Sequence, residues 1–136
     1  MSTVIDPVPR LPHGRPFLLL DRVLEIGETR GVFLKLVTAS DPCLAPDGTL
    51  PAAFVLEALA QGGGAFLAGR DGVAATPGYL AGVDGFVSHV DVRVSDRLRV
   101  EVEFLRRVAH ADLFRGRGFV GDLLVAEGRF TLALPR

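Results

Sequence analysis

Polar and apolar residues alternate along the second half of the chain. Between Leu98 and Phe104 every second residue is apolar and the residues between are charged, and alternation recurs from Phe130 to Leu134. A period of two places successive side chains on opposite faces, so both segments are predicted to be half-buried strands. Ala111 to Phe119 and Leu123 to Arg129, separated by a Gly-Asp turn at residues 121–122, complete an antiparallel meander.

The first half of the chain predicts a hairpin followed by one long helix. Leu18 to Ile26 and Val32 to Thr38 are rich in apolar and β-branched residues, and a turn at Gly27 to Gly31 separates them. After a loop containing proline and glycine, Pro51 opens a run of helix formers that lasts to about Ala68. The pattern therefore predicts an α+β fold, in which one helix faces one antiparallel sheet.

The predicted helix is apolar around its whole circumference, so we expect a curved sheet to enclose it. The glycines at positions 62–64 each cost about 1 kcal/mol of helix stability relative to alanine, which indicates a close approach of another element. The alternative is that the helix ends at Gln61. The stretch from Leu50 to Ala68 is long enough to be mistaken for a membrane span, but Glu57, Gln61 and the glycines interrupt it, so we predict a buried core helix.

Composition narrows the possible functions. A chain of 136 residues predicts one domain, residues 1–136. The 15 basic and 16 acidic residues nearly balance, so we expect no positive electrostatic potential suited to binding nucleic acid. Cys43 is the single cysteine, so no intrachain disulfide can form, and no spacing of metal ligands or phosphate-binding glycines is found. We therefore expect no metal and no cofactor. Residues 1–12 lack the apolar core of a signal peptide, which predicts a cytoplasmic protein.

Glu57 is the only charged side chain between Pro51 and Ala68, and Gln61 follows four residues later on the same helix face. One interpretation is a partly desolvated acid that gives a proton to a leaving hydroxyl. The other is an exposed first-turn glutamate that the helix dipole stabilises.

The helix start offers a second candidate group. Near Ala52 and Ala53 the backbone N–H groups could bind a thioester oxygen as negative charge develops on it. The chain has three histidines, His13, His89 and His110, and each is more often structural or solvated than catalytic when considered alone.

Several segments together resemble one known family. The stretch from Leu11 to Val23 is similar to the N-terminal motif of FabZ-type 3-hydroxyacyl-acyl-carrier-protein dehydratases, and Leu50 to Gln61 resembles the central helix of that family. Ala81 to Asp84, Asp96 to Val100 and Leu124 to Gly128 resemble the later strands, in the same order. The resemblance covers nearly the whole chain.

The resemblance implies a hot-dog fold, an antiparallel sheet wrapped around one long central helix, with active sites between paired subunits. It implies a homodimer or higher oligomer, or a heteromer with a paralogue, acting on an acyl-carrier-protein or coenzyme A thioester. Glu57 falls on the catalytic acid position of the family, and Ala52 and Ala53 fall on its oxyanion site. Gln61 and Gly82 are expected to contribute to substrate binding.

The chain departs from the family at the catalytic base. In the family, a histidine in a Gly-His-Phe-Pro stretch before the helix removes the C2 proton, whereas here the stretch from Asp41 to Thr49 contains no histidine. None occurs between His13 and His89. The usual Pro-Gly-Asp turn is replaced by Val94-Ser95-Asp96, and Asp-Gly-Thr-Leu-Pro at 47–51 looks more like a branch associated with aryl-polyene pigment synthesis.

Three hypotheses follow. The protein is a dehydratase in which His13 or His89 replaces the missing base, or it is an acyl-binding partner of a complete paralogue. The third is a thioesterase in which Glu57 activates water, because one fold hosts several activities.

Overall fold

The computed structural model describes residues 19–71 and 79–133. The sheet-and-helix order is β1 (Arg22–Ile26), β2 (Arg30–Leu36), β3 (Thr49–Leu50), α1 (Ala52–Asp71), β4 (Tyr79–Ser88), β5 (Val92–Arg93), β6 (Arg97–Val108), β7 (Ala111–Val120) and β8 (Leu123–Ala133). Six strands form one sheet in the order β1-β2-β6-β7-β8-β4, and each neighbouring pair is antiparallel. The predicted α+β fold, one helix against one antiparallel sheet, is confirmed.

Helix α1 packs against one face of this sheet, and Ala58, Leu59 and Phe66 are completely buried. The helix runs past Gln61 to Asp71, so the alternative that it ends at Gln61 is wrong. Between Ala52 and Arg70 it is long and apolar enough to cross a membrane, but 61% of that stretch is buried inside the protein. It is a core helix, as the sequence predicted.

Glycines in the middle of α1 bring the helix backbone against the sheet. A Cβ atom on Gly62 would lie 2.9 Å from Val100 Cγ1, and one on Gly63 would lie 2.9 Å from Phe130 Cε2. Such distances are too short for any side chain, so the glycines are needed for this contact. The close approach that the glycines predicted is confirmed.

The long strands follow the predicted alternation. Leu98, Val100 and Val102 face the helix and are buried, while the charged residues between them lie on the opposite face of β6. The two predicted segments at the end of the chain form the single strand β8. Position 18 at the start of the first predicted strand and position 134 at the end of the last lie outside the described residues.

Beneath the second half of α1 the core is aromatic. Phe114 and Phe130 stack with ring centroids 5.4 Å apart, and Phe66 meets Phe114 edge to face at 6.0 Å. Arg70 places its guanidinium 4.7 Å from the centroid of Phe104. These contacts close the core at the carboxyl end of the helix.

A small second sheet contains the residues that directly precede α1. Strands β3 and β5 contribute two residues each, with Thr49 opposite Arg93 and Leu50 opposite Val92. Next to them the Val94 N–H donates to the Gly48 carbonyl over 2.9 Å. Two-residue strands have no measurable period, which is why the sequence did not predict them.

A buried ion pair anchors the loop before the helix. Lys35 Nζ lies 2.8 Å from Asp41 Oδ2, with side chains only 5% and 8% exposed. The other Asp41 oxygen accepts the Cys43 N–H over 2.9 Å. Burial opposes ionisation of Asp41, but the hydrogen bonds from Lys35 and Cys43 outweigh it, so the pKa of Asp41 lies below its usual value.

The turn before β6 holds a serine in a strained conformation. Ser95 has φ of 78°, in the left-handed region that favours glycine. The turn is held by the Ser95 N–H, which donates to the Val37 carbonyl over 2.7 Å, and by the Asp96 carboxylate, which accepts the Arg93 N–H over 2.8 Å. Backbone contacts therefore impose the strain on Ser95.

We expect Ser95→Gly to raise the free energy of unfolding by about 0.5–1 kcal/mol, because glycine removes the Cβ clash at positive φ but has more freedom when unfolded. Urea denaturation measures the change. Ser95→Ala, which keeps the Cβ atom, is the matched control and is expected to resemble wild type. Equal stability of the glycine and alanine variants would show that Ser95 stores no strain.

We expect Asp41→Asn to lower the free energy of unfolding by about 3 kcal/mol at pH 7, because it leaves the buried Lys35 ammonium without its counter-charge. Since the pKa of Asp41 is lowered by folding, the stabilisation is complete above the unfolded pKa near 4 and is lost as the pH falls further. The difference between wild type and variant should therefore shrink in acid.

Urea denaturation between pH 7 and pH 3 tests both parts of this expectation. Asp91→Asn is the control, because Asp91 pairs with Arg93 at 3.5 Å in an exposed position, where an ion pair contributes at most about 1 kcal/mol. A loss in Asp41→Asn no larger than in this control would contradict the structural role of the buried pair.

Candidate active site

The start of α1 presents backbone N–H groups at the protein surface. The Pro51 carbonyl accepts the N–H groups of Phe54 at 2.9 Å and Val55 at 3.2 Å, while Ala52 and Ala53 are exposed. The first N–H groups of a helix have no partner within the helix and can bind an anionic oxygen. The predicted oxyanion position is therefore sterically accessible.

Glu57 is the sixth residue of α1, and the first turn of the helix contains no acidic residue. Its side chain is partly buried. The interpretation as an exposed first-turn glutamate is therefore wrong, because Glu57 follows the first turn and is partly buried. Ala53, Glu57 and Gln61 recur at intervals of four residues and so share one face of the helix.

Gln61 connects Glu57 to the chain before β1. Its side chain is 2% exposed, and its Oε1 accepts the Leu19 N–H over 2.8 Å. Its Nε2 donates to Glu57 Oε1 over 3.4 Å. The carboxamide that the sequence predicted to bind substrate is thus engaged with protein groups next to the acid.

The loop between β2 and β3 occupies the place where the family carries its histidine. Asp47 Oδ1 accepts the Thr49 N–H at 3.0 Å and its hydroxyl at 2.6 Å, and Gly48 turns the chain at φ of 84°. Burial, followed by the nearby Asp41 carboxylate, raises the pKa of the Cys43 thiol. Cys43 is therefore protonated at neutral pH and unsuited to act as a base.

Two of the three histidines lie away from α1 within the subunit. His89 Nε2 is 2.8 Å from Glu127 Oε2, and Glu127 lies opposite Arg117 on the face of the sheet that points away from the helix. His110 is exposed in the turn between β6 and β7. His13, the other predicted candidate base, lies outside the described residues.

Within one subunit, Gly82 does not lie beside Glu57. It lies opposite Thr131 on the outer face of the sheet, where both residues line a groove of about 630 Å³ together with Arg106 and Arg129. Its predicted contribution to substrate binding therefore stays a prediction. Within residues 19–71 and 79–133, no group of three His, Cys, Asp or Glu side chains is arranged to hold a metal ion.

Comparison with known proteins identifies the family. The family model described as ApeP-like, ApeP dehydratase, matches residues 5–136. The 3-hydroxyacyl-acyl-carrier-protein dehydratase FabZ of Thermomicrobium roseum is 35% identical over 130 residues, which cover 91% of this chain and 87% of the relative. The FabZ of Geobacillus thermodenitrificans is 37% identical over 131 residues, covering 91% and 89%.

A solved structure agrees with this assignment at the level of the fold. The dehydratase heterocomplex ApeI:P from Xenorhabdus doucetiae superposes with a TM-score of 0.89 at 22% identity, covering 97% of this chain and 92% of that one. The hot-dog fold implied by the sequence is thereby confirmed. Together with the family model and the FabZ relatives, this shows that the chain belongs to the ApeP-like family of dehydratases.

Proposed function

We propose that this protein dehydrates a 3-hydroxyacyl thioester carried on acyl-carrier protein, with Glu57 as the acid that protonates the departing hydroxyl. The observation that carries the proposal is the half-buried Glu57, held by Gln61 on the helix face that continues from Ala53. The FabZ relatives are named as dehydratases of such thioesters.

The reaction needs three groups. A base removes the proton at C2, the N–H groups near Ala52 and Ala53 stabilise the negative charge that develops on the thioester oxygen, and the C3–oxygen bond breaks. Glu57 transfers its proton to the leaving hydroxyl, which departs as water while the C2–C3 double bond forms. No redox cofactor is required, because the reaction involves no net oxidation or reduction.

His13 is the base that we propose. It precedes Leu19 by six residues, and Leu19 is hydrogen bonded to Gln61 next to Glu57. Six residues span at most about 20 Å when extended, so the covalent chain limits how far His13 can lie from Leu19. His89 is paired with Glu127, and His110 is exposed in the turn between β6 and β7, so both are weaker candidates within one subunit.

Strand β4 is the surface through which we propose that subunits assemble. It is the last strand of the six-stranded sheet, and Val83, Val87 and Val90 on or just after it are 45%, 46% and 40% exposed. An apolar strand at an open sheet edge favours pairing with another strand. A second copy or a paralogue would extend the sheet there, and the ApeI:P structure is itself a heterocomplex.

A second candidate function is an acyl-binding subunit that supports a complete paralogue. The observation that favours it is the described loop before α1, which carries Cys43 and an ion-paired Asp41 but no imidazole. For either function we propose a cytoplasmic location, since a free cysteine suits a reducing compartment. Activity measurements separate the two functions.

We expect Glu57→Gln to lower the turnover of a 3-hydroxybutyryl thioester about 10²- to 10⁴-fold, the usual contribution of a general acid. Formation of the enoyl thioester by the purified chain is measured, with circular dichroism confirming that each variant is folded. Glu103→Gln, a substitution of the same type on the outer face of β6, is the control and should retain full activity.

Three results would contradict this assignment in different ways. Equal turnover by wild type and Glu57→Gln would remove Glu57 as the acid. Release of the free acid in place of the enoyl thioester would indicate a thioesterase. Turnover only after a complete paralogue is added, and unaffected by Glu57→Gln, would support the acyl-binding subunit.

We expect the wild-type chain to sediment as a dimer or larger oligomer at micromolar concentration, and Val87→Lys to shift it towards monomer, because a lysine on an open edge strand disfavours pairing. Leu123→Lys is the control, since Leu123 is 53% exposed at the turn between β7 and β8. A wild-type chain that stays monomeric, alone and mixed with a paralogue, would overturn assembly through β4.

A further inference from the structure

We propose that Gln61 is a positioning residue: it fixes the orientation of the Glu57 carboxylate and couples that carboxylate to the chain segment before β1. This inference rests on the proposed function, because it assigns Gln61 a part in presenting the catalytic acid. It differs from the substrate-binding role that the sequence suggested for Gln61. A positioning residue acts through Glu57 and makes no contact with the substrate.

The hydrogen bond from Leu19 determines which way the carboxamide faces. A backbone N–H can only donate, so the group facing Leu19 at 2.8 Å must be the Gln61 oxygen. The Gln61 nitrogen then necessarily faces Glu57, whose Oε1 lies 3.4 Å away. The orientation of the amide is therefore set by chemistry, and the acid always has an N–H donor beside one of its oxygens.

Burial prevents Gln61 from adopting another arrangement. Its side chain is 2% exposed, and the adjoining helix residues Leu59 and Ala60 are 0% and 7% exposed. Turning the carboxamide away would leave the Leu19 N–H without its acceptor in an apolar region, which is costly. The contact between Gln61 and Glu57 is thus maintained by the packing of the core.

The segment before β1 is itself held firmly at this point. Leu19 and Leu20 are 2% and 0% exposed, and the Asp21 N–H donates to the Leu34 carbonyl of β2 over 2.8 Å. Movement of Leu19 would therefore be transmitted through Gln61 to Glu57.

The chemical consequence concerns the two oxygens of Glu57. An N–H donor at Oε1 disfavours a proton on that oxygen, because the two hydrogens would face each other. The transferable proton is therefore directed to Oε2. An acid that presents its proton from a single, oriented oxygen meets the geometric requirement for transfer to the departing hydroxyl.

Two substitutions separate the functions of the carboxamide. Gln61→Met keeps the length of the side chain but removes both hydrogen bonds, whereas Gln61→Glu keeps an acceptor for Leu19 and replaces the donor facing Glu57 with a carboxylate. We expect both variants to lower kcat by about 10- to 100-fold, the size of one lost hydrogen bond to a charged group, with KM nearly unchanged. Direct binding of substrate by Gln61 would instead raise KM.

The pH dependence gives a readout that a purely structural role would not change. In Gln61→Glu a second carboxylate lies beside Glu57, and like charges disfavour joint ionisation. The high-pH limb of the pH profile of kcat, where the general acid loses its proton, should therefore move to higher pH in Gln61→Glu, and by less in Gln61→Met, which only removes the N–H donor. Identical profiles in wild type and Gln61→Glu would overturn the inference.

A measurement that needs no turnover tests the same contact. Gln61 is the only glutamine and the chain contains no asparagine, so one pair of side-chain amide signals appears in a ¹⁵N-correlated NMR spectrum of the full chain. We expect that pair to shift between acidic and neutral pH in wild type and to lose this response in Glu57→Leu. The Leu19 amide should exchange with deuterium faster in Gln61→Met than in Gln61→Glu.

The outcomes distinguish this inference from the proposed function. If wild type is inactive but the Gln61 signals respond to Glu57, the positioning contact stands and the dehydratase assignment fails. A second outcome is that wild type is active, both Gln61 variants keep the wild-type kcat, and the Gln61 amide signals do not depend on Glu57. In that case Gln61 is not a positioning residue, and the assignment of Glu57 is unaffected.

Discussion

Contact between the backbone of α1 and the sheet is the constraint on which the rest of the structure depends. At Gly62 and Gly63 the side chains of Val100 on β6 and Phe130 on β8 come so close that no Cβ atom fits. Close packing of this kind fixes both the height of the helix and its rotation about its axis. Every residue on α1 takes its position from that contact, including Gln61, which directly precedes Gly62, and Glu57, which lies about one and a half turns earlier.

Two buried polar networks lie at the amino-terminal half of this helix. One joins Leu19, Gln61 and Glu57, and the other joins Lys35, Asp41 and the Cys43 backbone. Buried polar groups are stable when they are hydrogen bonded to one another, so each network holds a segment that the apolar core alone would leave unspecified. The first contains the contact that we propose orients Glu57, and the second holds the loop in front of the helix.

The described part of the proposed site contains the partly buried Glu57 and the exposed start of α1, and the family's histidine is absent from the loop before the helix. A hot-dog fold by itself is compatible with several activities, which is why the proposed dehydration rests on the surroundings of Glu57 and on the relatives at 35–37% identity. The open β4 edge bears on the same question, because a site shared between subunits can obtain a missing group from a neighbouring chain.

The sequence alone determined the features that have a local signal. The alternation of apolar and charged residues predicted β6, and the glycines in an apolar run predicted a helix in close contact with the sheet. The isolated Glu57 indicated a candidate acid. Only the tertiary structure decided that Glu57 is partly buried, that Gln61 reaches Leu19 across 42 residues, and that Lys35 and Asp41 are paired in the interior. Periodicity in the sequence indicates which residues are buried. It does not indicate which group hydrogen bonds to a buried polar residue, because that partner can come from a segment far away in the chain.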